Sequence, residues 1–294
     1  MGQATNQFED KVVIVGVGLI GGSIAAAVRQ RFPDCAVVGV GRSEDRLRAA
    51  MDAGLLTDWA TECTAELLRE SAIVVVCLPV NLIVEQVRLI AEICSDGVLI
   101  TDAGSVKAAI CDEIQRNEKA SRVFIGSHPI AGGEQGGFEH AEANLFEGKV
   151  CVVSDVDAAN TSEMAKLNRI SRFWQLLGCR IIRMSAAEHD RVLALTSHLP
   201  HVMAAATTIA VGAENFSLTG SGFRDTTRIA AGSASLWTAI LADNRKNVIA
   251  AINRAESVLQ EFRVALQKKD DLQVESLLEA AARCRSEFDS ADPE

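Results

Sequence analysis

Two histidines three apart, His198 and His201, flank Pro200 in "TSHLPHVMAAA", at the head of an apolar run, in a chain with five histidines. Imidazole has three uses there: packing, metal ligation, or proton and hydrogen-bond work on a bound molecule. A metal needs further ligands, and no residue at suitable spacing supplies them, so no metal site is expected. Pro200 cannot donate to the carbonyl of Thr196, so a helix through this stretch should bend there and aim a side chain at a cleft. A third histidine, His128, precedes Pro129 in "FIGSHPIAGGEQGG", beyond an apolar strand pattern. The carboxyl edge of an open α/β sheet is where ligands bind, and glycines let them approach closely. A neutral imidazole there suits removal of a hydroxyl proton. Ser105 in "TDAGSVK" ends another strand and could hydrogen-bond His128 or a substrate, while Lys107 reads as an ordinary helix-start residue.

The molecule these groups would serve is suggested by "VVIVGVGLIGGS". It holds Gly16-x-Gly18-x-x-Gly21, with Leu19 and Ile20 between the last two glycines. The motif follows a strand pattern, opens a helix pattern and sits in a βαβ unit. Gly16 permits the tight turn, Gly18 the approach of a pyrophosphate, and Gly21 close helix–strand packing. A dinucleotide site is expected, with Leu78 and Pro79 of "CLPV" beside the nicotinamide. An acid that takes the ribose hydroxyls normally follows about 20 residues on. Here the position is Gly41, followed by Arg42 and Ser43. With no carboxylate to repel a 2′-phosphate and an arginine to pair with it, the pattern leans to NADP over NAD. In the other arrangement, Arg42 is solvated and Glu44 or Asp45 takes the ribose.

These residues need a scaffold. "KVVIVGVG", "CAVVGVG", "AIVVVCLP", "GVLITDAG" and "RVFIGSHP" read as buried strands. Helical stretches at 23–31, 44–53 and 82–93 separate them, and "KVCVVSD" and "CRIIRMS" flank a helix near 162–177. Alternation of this kind implies a parallel sheet covered on both faces. From about residue 185 the pattern is helical only, over 186–213, 224–241, 243–268 and 271–289, before an acidic tail. The expected architecture is α/β: a Rossmann-type nucleotide-binding domain over 1–184, then an all-helical domain over 185–294.

Composition narrows the partners. A net charge of −10 argues against nucleic acid. No uninterrupted apolar run reaches the roughly 18 residues of a membrane span, and the polar start carries no signal-peptide core. Eight scattered cysteines without metal spacing fit a reduced, cytoplasmic setting. The absence of tyrosine excludes any mechanism that uses one.

Taken in order, "GVGLIGGS", "TDAGSVK", "GSHPIAGGEQGG", "EHDRVLALTSHLPH" and "GSGFRDTTRIAAGSASLWTAI" resemble the prephenate and arogenate dehydrogenases of tyrosine biosynthesis. The resemblance spans most of the chain. It implies NAD(P)-dependent oxidative decarboxylation of a cyclohexadienol, prephenate or arogenate, by a homodimer formed through the helical domain. His128 matches the catalytic histidine and Ser105 a serine that supports it. His201 matches a histidine at the substrate hydroxyl, with His198 as its structural neighbour. Arg228 matches the arginine on a substrate carboxylate, although Asp225, three residues earlier, offers it a helix-surface ion pair instead. Glu134 matches an acid at the site's edge, Trp237 an aromatic by the pocket, and Arg224 with Asp225 an ion-paired support. Gly41 departs from the family's cofactor acid, and Gly133 stands where many members carry Thr. Two rivals remain: another NADP-dependent hydroxy-acid dehydrogenase of β-hydroxyacid or ketopantoate type, and a non-catalytic NADP-binding sensor.

Overall fold

The computed structural model describes residues 11–71, 73–95, 97–133, 135–154 and 161–291. Strand β1 (Lys11–Val15) leads into helix α1 (Leu19–Arg31). Then follow β2 (Ala36–Val40), α2 (Glu44–Asp52), β3 (Asp58–Ala60), α3 (Ala65–Leu68), β4 (Ile73–Val76), α4 (Val80–Ile93) and β5 (Leu99–Asp102). Helices α5 (Ala108–Gln115) and α6 (Glu118–Val123) precede β6 (Phe124–Ile125). The six strands form one parallel sheet in the order β3-β2-β1-β4-β5-β6. The order in which strands are added reverses between β1 and β4, which opens a crevice at their carboxyl ends. The strands are apolar throughout because both faces are covered: Ile14, Val37 and Val75 pack into one core, and Val13, Val38 and Val74 into the other.

"RVFIGSHP" is two strands rather than the single one expected. After β6 the chain leaves the parallel sheet at Gly126, and β7 (Ser127–Pro129) enters a second sheet. A Cβ at Gly126 would lie 2.9 Å from the Cys111 sulfur, so only glycine turns this corner unstrained. The second sheet pairs β7 antiparallel with β8 (Val150–Ser154), and β8 parallel with β9 (Arg180–Met184). Helix α7 (Thr161–Leu176) joins the last two and buries Phe173 and Trp174. The short, partly exposed β3 gave no sequence pattern.

Helix α8 (Ala186–Leu193) continues through a π-helical turn, Ala194–His198, into α9 (Leu199–Val211). Pro200 sits in the first turn of α9, so the widened turn lies where the missing Pro200 donor was expected to bend the helix. By length and composition alone Ala186–Val211 could cross a membrane. Its buried polar residues His189, Asp190, His198 and His201 face the rest of the fold. Then come α10 (Ser221–Thr227), a 3₁₀ turn Arg228–Ala231, α11 (Ala234–Asp243), α12 (Arg245–Lys268) and α13 (Asp271–Ala291). The acidic stretch read as a tail is helical as far as Ala291.

The chain divides into two compact units, Met1–Arg245 and Lys246–Glu294. Helices α8 to α11 therefore group with the sheets, because α8 packs on α5 and β8, and α11 on α4. All site residues discussed below lie in the first unit.

Candidate active site

The glycine loop joins β1 to α1 at the crevice. Gly16 has φ +96°, a left-handed conformation that glycine adopts without strain, and a Cβ there would lie 2.5 Å from the Cys77 carbonyl oxygen and 2.9 Å from the Leu78 side chain. A Cβ at Gly21 would overlap the Gly16 carbonyl oxygen. Gly18 behaves oppositely: a Cβ on it would meet nothing within 4 Å. The loop is thus packed from below and open above, at the first turn of α1, where backbone N–H groups lack intrahelical acceptors. A pyrophosphate fits this cradle, with Leu19 and Ile20 half-buried at its edge. Leu78 packs against the loop and Pro79 caps the start of α4, so "CLPV" adjoins the cradle. Gly41 closes β2, Arg42 is exposed, and the Ser43 hydroxyl caps α2 by accepting from the Arg46 N–H.

Two further strands, β5 and β7, contribute polar side chains. Asp102, at the end of β5, is fully buried and ion-paired to Lys107, also fully buried. Its carboxylate accepts from the backbone N–H groups of Gly104 (3.0 Å) and Ser127 (3.0 Å). Lys107 is therefore no ordinary helix-start residue; its ammonium neutralises an otherwise isolated buried carboxylate. Ser127 donates to the Asp102 carbonyl (2.6 Å) and accepts from the Trp174 indole (2.8 Å). These bonds clamp β7 to β5 directly before His128.

His128 is half-buried on β7. Its Nδ1 lies 2.8 Å from His189 Nε2, and His189 Nδ1 lies 2.7 Å from Asp190 Oδ1. Asp190 is held in turn by the backbone N–H groups of Lys107 (2.8 Å) and Ala108 (2.9 Å) at the start of α5. Ser105, expected to support His128, makes no hydrogen bond to it; His189 fills that place. The reason is positional: β7 faces the α8 residues, while Ser105 stays half-buried in the loop before α5. Desolvation first, then the neighbouring His189, Lys107 and His198, hold His128 well below the usual histidine range. The ring is thus neutral at pH 7 and able to accept a proton.

His201, at 8 % exposure, stacks on Trp237 with ring centroids 3.5 Å apart. A Cβ on Gly232 would crowd both rings, so a small residue is required there. Burial lowers the His201 pKa, leaving a neutral hydrogen-bonding ring. His198, 1 % exposed, lies 3.2 Å from the Asn244 amide, which also donates to the Asp190 carbonyl (2.7 Å). Burial brings its pKa down to about 4, against an opposing pull from Asp190. The histidine pair thus divides into a support, His198, and a ring stacked on Trp237, His201. Arg228 opens the 3₁₀ turn after α10 and is exposed, as are Arg224 and Asp225. Glu134 lies outside the described residues, but neighbouring Gly133 is placed so that a Cβ would sit 3.5 Å from Leu19, bringing the two glycine segments together.

His189, Asp190, Asn244 and the buried Asp102–Lys107 pair escaped sequence reasoning. One signal was available: positions 189, 190, 193, 194, 198 and 201 repeat at helical spacing and share the buried face. Thiol nucleophiles are disfavoured. Burial pushes Cys63 and Cys111 up to about 11, and Cys77 further still.

A glycine loop at the crevice of a parallel sheet, open where a pyrophosphate would lie, defines a dinucleotide-binding protein of the doubly wound α/β class. Family models for the prephenate dehydrogenase nucleotide-binding domain and dimerization domain match residues 24–183 and 185–280. A cyclohexadienyl dehydrogenase of Zymomonas mobilis is 34% identical over 269 residues, covering 88% of this chain and 89% of the relative. Prephenate dehydrogenase from Aquifex aeolicus, solved with hydroxyphenyl propionate and NAD+, superposes with a TM-score of 0.87 at 28% identity, over 98% of this chain and 100% of that one. A Synechocystis arogenate dehydrogenase gives 0.77 at 28%, over 95% and 99%. The chain belongs to the prephenate dehydrogenase family and is an oxidoreductase.

Proposed function

We propose that this chain oxidatively decarboxylates prephenate or arogenate, giving 4-hydroxyphenylpyruvate or tyrosine, with His128 as the base. The observation that carries the assignment of the base is the chain of hydrogen bonds from His128 through His189 to Asp190, with burial holding the His128 pKa low. A nicotinamide dinucleotide bound on that cradle supplies the hydride acceptor. His128 Nε2 takes the proton of the C4 hydroxyl as the C4 hydride leaves. The ring carboxylate departs as CO2, its bonding electrons complete the aromatic ring, and the phenolate oxygen so formed takes the proton back from His128. Aromatisation drives the reaction, so the protein's work is orientation and proton removal. His201, held flat on Trp237, is assigned to the hydroxyl region. Ser105 contacts substrate from the loop after β5, and Glu134 is assigned to the site's edge.

Arg228 is assigned to a substrate carboxylate, a role that suits an exposed guanidinium on a chain of net charge −10. Arg228→Ala should raise the substrate KM about 10- to 100-fold, the weight of charge-assisted hydrogen bonds. The cofactor KM should stay within about twofold. Equal, small changes in both would instead mark Arg228 as a surface ion-pair residue.

NADP is the preferred cofactor in this reading, supported by Gly41 and the exposed Arg42. Steady-state KM values for the two cofactors test it: NADP should bind at least about tenfold tighter, the weight of one arginine–phosphate contact. A clear preference for NAD would return Arg42 to the solvent.

The working form is a homodimer. The matched dimerization domain supports this, as do large apolar side chains left exposed within it: Ile209 and Leu218 in the first unit, Leu266 and Leu272 in the second. A cytoplasmic setting is proposed on the eight cysteines, which carry no disulfide-like spacing and stay free thiols.

A further inference from the structure

We propose that His189 and Asp190 are positioning residues that set the tautomer of His128, leaving its Nε2 as the bare nitrogen that faces substrate. This inference rests on His128 being the base.

The chain of hydrogen bonds has a fixed direction. Asp190 is 1 % exposed and its carboxylate has only acceptors to offer. Oδ2 accepts from the Ala108 N–H, and Oδ1 from the Lys107 N–H. Backbone donors cannot be reversed, so the 2.7 Å contact from Oδ1 to His189 Nδ1 puts a proton on that nitrogen. With a single ring proton, His189, fully buried, then has a bare Nε2. The 2.8 Å contact to His128 Nδ1 needs a donor, which His128 must provide. Its single proton is therefore on Nδ1, and Nε2 is free to accept.

When Nε2 takes the substrate proton, the O–H bond breaks, an N–H bond forms, and His128 becomes an imidazolium. Its Nδ1–H still points at His189 Nε2, now as a stronger donor. The Asp190 carboxylate, one ring further back, polarises His189 toward that charge. No second proton transfer is needed. The groups around His128 are His189 and Asp190 on α8, Lys107 with its partner Asp102, His198 in the π turn and Cys151 on β8. Lys107 and His198 oppose the positive charge, and Asp190 is the carboxylate linked to His128 through a hydrogen-bonded ring. With one proton on each ring, the opposite tautomer would set two lone pairs or two protons against each other in one of the buried contacts.

The test is 15N NMR of the full chain labelled at histidine, with the His128 signals assigned by difference from His128→Asn. At neutral pH His128 should show a protonated Nδ1 and an unprotonated Nε2. In Asp190→Ala the acceptor that holds the proton on His189 Nδ1 is gone, so nothing fixes the direction of the chain. His128 should then carry its proton on Nε2 in part of the population. kcat should fall at least about tenfold while cofactor Kd stays within about threefold. His189→Gln keeps an acceptor for the Nδ1 proton and should retain kcat within about tenfold.

A wild-type spectrum with the proton on Nε2 overturns the proposal, and this needs no variant to fold. So does an Asp190→Ala enzyme with unchanged tautomer and kcat within fivefold. The parent reading fails separately: if His128→Asn keeps full turnover, His128 is not the base, whatever its tautomer.

Discussion

Replacing His128 with asparagine lowers kcat by roughly 1,000-fold, within the span ordinarily contributed by a general base, and leaves cofactor Kd and substrate KM within about threefold. Asparagine keeps a donor toward His189 and most of the side-chain volume, so β7 and its clamp to Asp102 should survive. What it removes is a basic nitrogen. The pH profile carries a second mark. A base must be unprotonated, so the wild-type rate falls on the acid side, as pH drops through the pKa of His128. Because desolvation, His189, Lys107 and His198 hold that pKa well below 6.5, kcat should stay level from neutrality through 6.5 before it falls. In His128→Asn that acid limb should vanish, with solvent hydroxide as base and a rate that climbs with pH. Loss of less than fivefold, with the acid limb intact, would place the base elsewhere.

The second large effect is on stability. Lys107→Met leaves Asp102 buried with two backbone donors and no counter-charge, at a cost of about 3–5 kcal/mol. Chemical denaturation followed by tryptophan fluorescence reads this directly. All three tryptophans, Trp59, Trp174 and Trp237, lie in the first compact unit, and Trp174 is hydrogen-bonded within the same network. The double variant Lys107→Met, Asp102→Leu should regain a large part of the loss, because removing both charges abolishes the desolvation debt. A Lys107→Met protein within about 1 kcal/mol of wild type would mean that the ion pair carries little.

How far sequence reading reached depended on whether the needed contacts were local. The glycine loop is local. Gly16, Gly18 and Gly21 act on a turn a few residues long, and their order after an apolar strand suffices to place a cradle. His128 was legible as well, since a polar residue directly after a buried strand marks the sheet edge. The bend at Pro200 followed from one missing N–H. What stayed hidden is what folding brings together from afar. His189 meets His128 across 61 positions, and Asp190 meets the Lys107 N–H across 83. Within "EHDR" both look like solvated charges at a helix start. Lys107 looked solvated for the same reason, as its partner is five residues back across a turn, at no helical or strand period. The split of "RVFIGSHP" into β6 and β7 was signalled only by Gly126, a glycine inside a strand pattern.

The most direct test of the central claim is reduced-cofactor formation by the purified chain, followed with prephenate and with arogenate, each with NAD and with NADP. Turnover of at least one of the two, with one CO2 released per reduced cofactor and loss of activity in His128→Asn, is the predicted result. Cofactor binding without turnover of either substrate, or oxidation of a simple β-hydroxy acid in their place, would contradict it.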